Sequence, residues 1–188
     1  MNWLVFAFVT WIMLGLELGL KSSLQLGDSS IAPSFLAIYA VFVATAAPPR
    51  SSQWACLILG ALIDLTGPVP RMDAASSFTV LGPNALGAFL MCQLVLSVRG
   101  LLFRRNPLTI AVLAAVGFAI WQVVVTAVFT IRSFTGDPTA WSPASELGAR
   151  LGASLYTGLL ALPLALILLM IAPLFAFQFV PSRYAGRR

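Results

Sequence analysis

Residues 32–67 read APSFLAIYAVFVATAAPPRSSQWACLILGALIDLTG. They hold most of one apolar segment, 31–47, a Pro48-Pro49-Arg50 break, and a second segment, 52–66, that carries Asp64 near its end. A spanning helix needs roughly 20 apolar residues, so the first segment reads as a membrane span closed by a tight polar turn. The second is short for a full span. It must meet a thin bilayer, be shielded by its neighbours, or borrow a turn at its start. The breaker cluster from Gly67 to Pro70 then ends it.

Working outward, four more apolar segments flank this pair, at 3–20, 78–98, 108–131 and 151–172. The fourth in chain order contains Gly82-Pro83, which predicts a kinked start or a helix that begins after Asn84. The sixth has Arg150 at its mouth and Pro163 inside it. The aromatic tail with Phe175, Phe177, Phe179 and Tyr184 reads as an interfacial belt. Over the 188 residues, 60% are hydrophobic and 9% charged, with a mean hydropathy of +0.95. A soluble domain runs near 45–50% apolar and about 25% charged, so a water-soluble globule is excluded. Disorder is excluded by the same numbers. The expected fold is an all-α membrane protein: one polytopic domain, a compact bundle of six transmembrane helices, with no room for a soluble catalytic domain.

Charge sets the expected orientation. If the N-terminus is cytoplasmic, the inner loops and tail hold Arg50, Arg99, Arg104, Arg105, Arg183, Arg187 and Arg188, with no acidic residue among them. The outer loops hold Lys21, Arg71, Arg132 and Arg150, accompanied by Asp28, Asp73, Asp137 and Glu146. Short loops follow the positive-inside rule, which predicts both termini in the cytoplasm. The N-terminus has neither a positive leader nor a small-residue cleavage site, and so reads as an uncleaved first helix. Arg50, Arg99, Arg104 and Arg105 form the expected cytoplasmic anchor, each worth about 1 kcal/mol near anionic lipid. The net charge of +5 is thus an orientation signal, with no nucleic-acid partner implied.

The chain has no histidine, which removes histidine-based proton transfer and metal ligation. Cys56 and Cys92 lie inside apolar runs and read as packing residues. No nucleophile elbow, phosphate loop or metal-binding run of carboxylates is present, so neither an enzyme nor a cofactor is expected. Two carboxylates do fall in apolar segments. Such residues are costly in lipid and are functional candidates by default. Glu17 precedes Lys21 by one helical turn, so it can pair with it at the outer end of the first helix or serve a buried polar or partner site. Asp64 can bond locally to the loop with Gly67 and Arg71, or face the bundle interior as a lock or pocket residue. Small-residue pairs, Gly15 with Gly19 and Gly148 with Gly152, are expected to pack internally. Ser154 and Gly158 continue the second small face, and Gly60 lies one turn before Asp64.

The stretch quoted at the outset resembles the MreD family of bacterial rod shape-determining membrane proteins. The matching features are Pro33, the Pro48 to Arg50 turn, the G-x-x-x-D-L pattern of Gly60, Asp64 and Leu65, and Gly67. The basic loop from Arg99 to Arg105, the small size and the basic C-terminal end agree with it. Pro68, Pro70, Arg71 and Asp73 depart from the family pattern, as does Gly82-Pro83. The resemblance implies a non-enzymatic subunit of the cell-elongation machinery in the bacterial inner membrane. It implies contact with MreC, and through it with the MreB filament, RodA and a class B penicillin-binding protein. It also implies a fold similar to the substrate-binding subunits of energy-coupling factor transporters. The leading expectation is a scaffold that helps position peptidoglycan synthesis, with Glu17, Asp64, Gly60, Arg71 and Asn84 as partner or pocket candidates. A second is a small-solute-binding subunit of a transporter, with an outward pocket drawing on Asp64, Asn84, Gln93, Gln122 and Tyr156. A membrane-embedded lipid enzyme comes third, lacking a catalytic set.

Overall fold

A helix that is apolar on every side has no solvent face and must be enclosed. The run FLAIYAVFVATA is such a helix, and it forms α2 (Phe35–Ala46), buried from Phe35 through Thr45. The computed structural model describes residues 1–27, 31–67, 69–70, 77–101, 106–134 and 143–176. Around α2 lie α1 (Trp3–Leu20), α3 (Pro49–Thr66), α4 (Pro83–Val98), α5 (Pro107–Phe134) and α6 (Pro143–Ile171). A 3₁₀ turn, Ala172–Phe175, follows α6. Between α3 and α4, β1 (Val69–Pro70) and β2 (Ser77–Phe78) make a two-residue antiparallel clasp. The molecule is an all-α membrane protein.

Length separates the helices. At 1.5 Å per residue, the 12 residues of α2 span about 18 Å, well under the ~30 Å of a hydrocarbon core. The helices Trp3–Leu20 and Pro107–Phe134 and the stretch Glu146–Phe175 are long and apolar enough to cross, whereas Phe35–Ala46 and Pro83–Val98 are apolar but shorter. Helix limits depart from the apolar segments for local reasons. α2 starts at Phe35, because Pro33 and the Ser34 cap hold the chain extended just before it. α3 takes an extra turn from Pro49, a residue suited to the first helical position. α4 begins at Pro83 after Gly82, whose φ of +126° few other residues adopt. α6 reaches back to Pro143 and continues through Pro163.

α5 packs most extensively on α6 and α4, and α3 on α4. α1 is peripheral, resting on α2 and on the 3₁₀ turn. Phe6 holds it there by stacking on Tyr39 at 5.7 Å between centroids, and Phe175 of the 3₁₀ turn meets Phe42 of α2 edge-on at 5.8 Å. The α3–α4 contact is much tighter. A Cβ added at Gly60 would lie 2.5 Å from the Asn84 carbonyl oxygen and 2.6 Å from the Ala85 Cα. Only glycine permits that approach.

Candidate functional site: buried charges at the ends of short helices

A helix leaves its first amides and last carbonyls without internal partners, and a helix that stops inside the bundle cannot give them to water. α2 has this problem at both ends. At its start, Glu17 of α1 accepts from Phe35 N at 2.6 Å, Leu36 N at 3.2 Å and the Ser34 hydroxyl at 3.2 Å, all through Oε2. Ser34 Oγ accepts from Ala37 N, and Ser34 N donates to Thr157 Oγ1 at 3.1 Å. Glu17 is only 5% exposed. Its Oε1 lies 3.9 Å from the Lys21 Nζ, so the one-turn pairing is present, though it accompanies the backbone contacts and does not replace them.

At the other end of α2, Arg99 donates through Nη1 to the carbonyls of Ala44 at 3.1 Å and Ala47 at 2.6 Å. The Ser52 hydroxyl stands 3.2 Å from the Val43 and Ala47 oxygens. A carboxylate thus sits at the positive end of the helix dipole and a guanidinium at the negative end, each favourable in sign. Arg99, expected as a lipid anchor, is half-buried and turned onto α2. Arg50 is exposed at the start of α3, while Arg104 and Arg105 lie outside the described residues.

The start of α4 is handled the same way. Asp64 of α3 accepts through Oδ2 from Gly82 N at 2.9 Å and Ala85 N at 3.2 Å. Its Oδ1 accepts from Asn84 N and Nδ2, both at 3.0 Å. Asn84 Oδ1 in turn accepts from the Trp121 indole at 3.0 Å, tying α5 into the network. Among the described residues the Asp64 carboxylate is bonded to Gly82, at the end of the connection from α3, and to Asn84 and Ala85 in the first turn of α4. Arg71 itself lies outside the described residues.

Because α2 starts low, a cleft of about 180 Å³ opens over its first turn at the Lys21 end of the bundle. Glu17, Lys21, Ser34, Asn84, Gln122, Glu146 and Arg150 supply its polar lining, with Phe118 and Ile63 among its apolar walls. Arg150 bridges α6 to α5 by donating to Gln122 Oε1 at 2.7 Å, and it pairs with Glu146 at 3.4 Å. An adjoining cleft of about 470 Å³ shares Glu17, Lys21 and Ile63 and runs between α1 and α3 past Leu18 and Thr66. Of the pocket candidates, Glu17, Asn84 and Gln122 line the inner cleft; Gln93 and Tyr156 are not among its lining residues. Gly60 and Asp64 form the adjacent α3–α4 joint.

The small-residue expectation divides. Gly152 packs under Ile31 and Gly158 against Ala115, but a Cβ at Gly15, Gly19 or Gly148 would meet nothing within 4 Å. The Gly15 pair therefore faces outward, because α1 turns that side away from α2. Sequence reasoning missed the capping roles of Arg99, Ser34 and Ser52 and the contribution of Arg150 to the cleft. The polar run Pro33-Ser34 before an apolar helix was the available signal for a cap. Nothing local marked its distant carboxylate.

No curated protein and no solved structure matches the chain, so the expected likeness to energy-coupling factor subunits finds no support. The model of rod shape-determining protein MreD matches residues 1–177. With nearly the whole chain covered, the protein belongs to the MreD family of rod shape-determining membrane proteins.

Proposed function

We propose that this protein is a non-catalytic scaffold subunit of the bacterial cell-elongation complex, binding a bitopic partner resembling MreC and helping to position peptidoglycan synthesis. In this reading the chain crosses the inner membrane six times with both ends in the cytoplasm. Arg50, Arg99, Arg104 and Arg105 then mark the inner side, and the MreB filament, RodA and a class B penicillin-binding protein are reached through the partner. The observation that carries the reading is how the charges at the helix ends are used. Glu17, Asp64 and Arg99 are each committed to backbone groups of a neighbouring helix, which supports a role in holding shape over one in covalent chemistry. The outward side of α1, with Leu4, Phe8 and Trp11 exposed, leaves apolar surface for a partner helix. A pull-down in mild detergent tests this. Recovery of an MreC-like protein is expected, and its absence from cells that make both proteins overturns the reading.

The inner cleft supports a second reading, a small-solute-binding subunit of a transporter, since it lies between the third and sixth helices. Copurification tells the two apart. A transporter subunit brings down an energising ATPase; a scaffold brings down the MreC-like protein.

A further inference from the structure

We propose that the two adjoining clefts at the Lys21 end form a lateral site for a phospholipid headgroup that joins a primary ammonium to a phosphate. The inner cleft is built from two acid–base pairs, Glu17 of α1 with Lys21 just past its end and Glu146 with Arg150 on α6. A lone anion there would face two carboxylates, and a lone cation would face a lysine and an arginine. A ligand carrying both signs meets each with its complement. Two of the polar residues lining the cleft, Glu17 at 5% and Gln122 at 8% exposure, are more than nine-tenths buried.

Arginine presents a planar fork that fits phosphate oxygens, and carboxylates accept from an ammonium that has hydrogens to give. A quaternary ammonium has none and is bound by cages of aromatic rings. Among the described residues lining it, the cleft offers a single ring, that of Phe118. Its chemistry therefore selects ethanolamine over choline.

The route in is sideways. α1 packs on α2 and the 3₁₀ turn and not appreciably on α3. The larger cleft occupies that gap, walled by Leu18 and Ile63 and continuous with the inner cleft through Glu17 and Lys21. A headgroup can enter at the bundle end while its acyl chains stay in the bilayer beside the slot. The same ammonium–phosphate chemistry exists on soluble ethanolamine phosphate, and the experiment separates the two sources.

The purified full chain is placed in nanodiscs made from equal parts of ethanolamine, choline and glycerol phospholipids, and the lipids it retains on extraction are counted by native mass spectrometry. The ethanolamine lipid is expected to be favoured about tenfold, the discrimination one charge-assisted hydrogen bond supplies. E146Q should abolish the preference, and R150Q, which removes a contact to the phosphate common to all three lipids, should lower their retention alike, with helicity by circular dichroism unchanged in both. In a parallel arm, O-phosphoethanolamine is added to delipidated protein and its thermal unfolding is followed. A rise there without any lipid preference assigns the chemistry to a free solute and overturns the lipid route. Equal retention of the three lipids with no such rise, a preference that survives E146Q, or retention that R150Q leaves unchanged overturns the site. No partner protein is present in either arm, so failure here leaves the scaffold reading untouched.

Discussion

Glu17 and Asp64 perform one task in two settings, and the contrast explains where this bundle is rigid. Both carboxylates cap the first turn of a helix too short to span on its own. Asp64 uses both oxygens on four donors from Gly82, Asn84 and Ala85. It does so from a helix pressed against its target through Gly60, with Trp121 of α5 joined on through Asn84. Glu17 uses mainly one oxygen, reaches in from the peripheral α1, and has its second oxygen toward Lys21 and the cleft. Asp64 closes a three-helix joint. Glu17 couples an outlying helix to the core and leaves room beside itself. In a membrane bundle, a cap at a tight joint holds the scaffold, whereas a cap at a loose one borders a site.

The strongest way to break this comparison is Asp64→Ala. It strands several buried amides, each costing about 1–3 kcal/mol when unsatisfied, and should cost about 3–5 kcal/mol of bundle stability, read as loss of cooperative unfolding in detergent. Asp64→Asn should fall in between, because it keeps an acceptor and loses the charge. If neither change alters stability or cell shape, Asp64 is not the joint described. Next comes Gly60→Ala. The added methyl meets backbone and cannot be relieved by a rotamer change, so about 3 kcal/mol is expected. The same substitution at Gly15 should leave the isolated bundle within about 0.5 kcal/mol. Equal effects at the two glycines would erase the distinction between the tight and loose sides.

Glu17→Gln is expected to cost about 2 kcal/mol, the upper range for removing a partly buried charge from a helix end. It should also raise hydrogen exchange at the Phe35 and Leu36 amides ahead of the rest of α2. Uniform exchange across α2 would mean that the cap contributes nothing of its own. Lys21→Ala is the smallest change. The ammonium is exposed and its partner is already held by backbone, so a loss under about 0.5 kcal/mol is expected. A larger loss would make the ion pair, and not the helix cap, the main role of Glu17.

Much of the architecture was legible because lipid imposes simple rules. Apolar length predicted the helices, and the Pro48-Pro49 and Gly82-Pro83 breaks placed turns where α3 and α4 begin. The scarcity of charge, with their position inside apolar runs, singled out Glu17 and Asp64. Their partners were not readable, because Glu17 meets Phe35 and Asp64 meets Ala85 across folds of the chain with no local periodicity to mark them. The contact Arg99 makes with the end of α2 was hidden for a related reason. A basic residue after a span looks like a lipid anchor whether its guanidinium faces phosphate or turns inward to a carbonyl. The outward Gly15 was likewise indistinguishable from the inward Gly158, since a small-residue spacing does not say which side of a helix has a neighbour.

By itself, the sequence determined that this chain is a helical membrane protein, roughly where its helices run, and which two carboxylates needed explaining. The hydrophobic effect and the cost of burying charge act residue by residue and can be summed along a line. Only the tertiary structure decided that α2 lies at the centre, that Glu17 and Arg99 hold its two ends, and that a polar cleft opens above it. Those outcomes depend on which helix ends stop short of the surface and which distant side chains can reach them, and that is settled only when the six helices pack together.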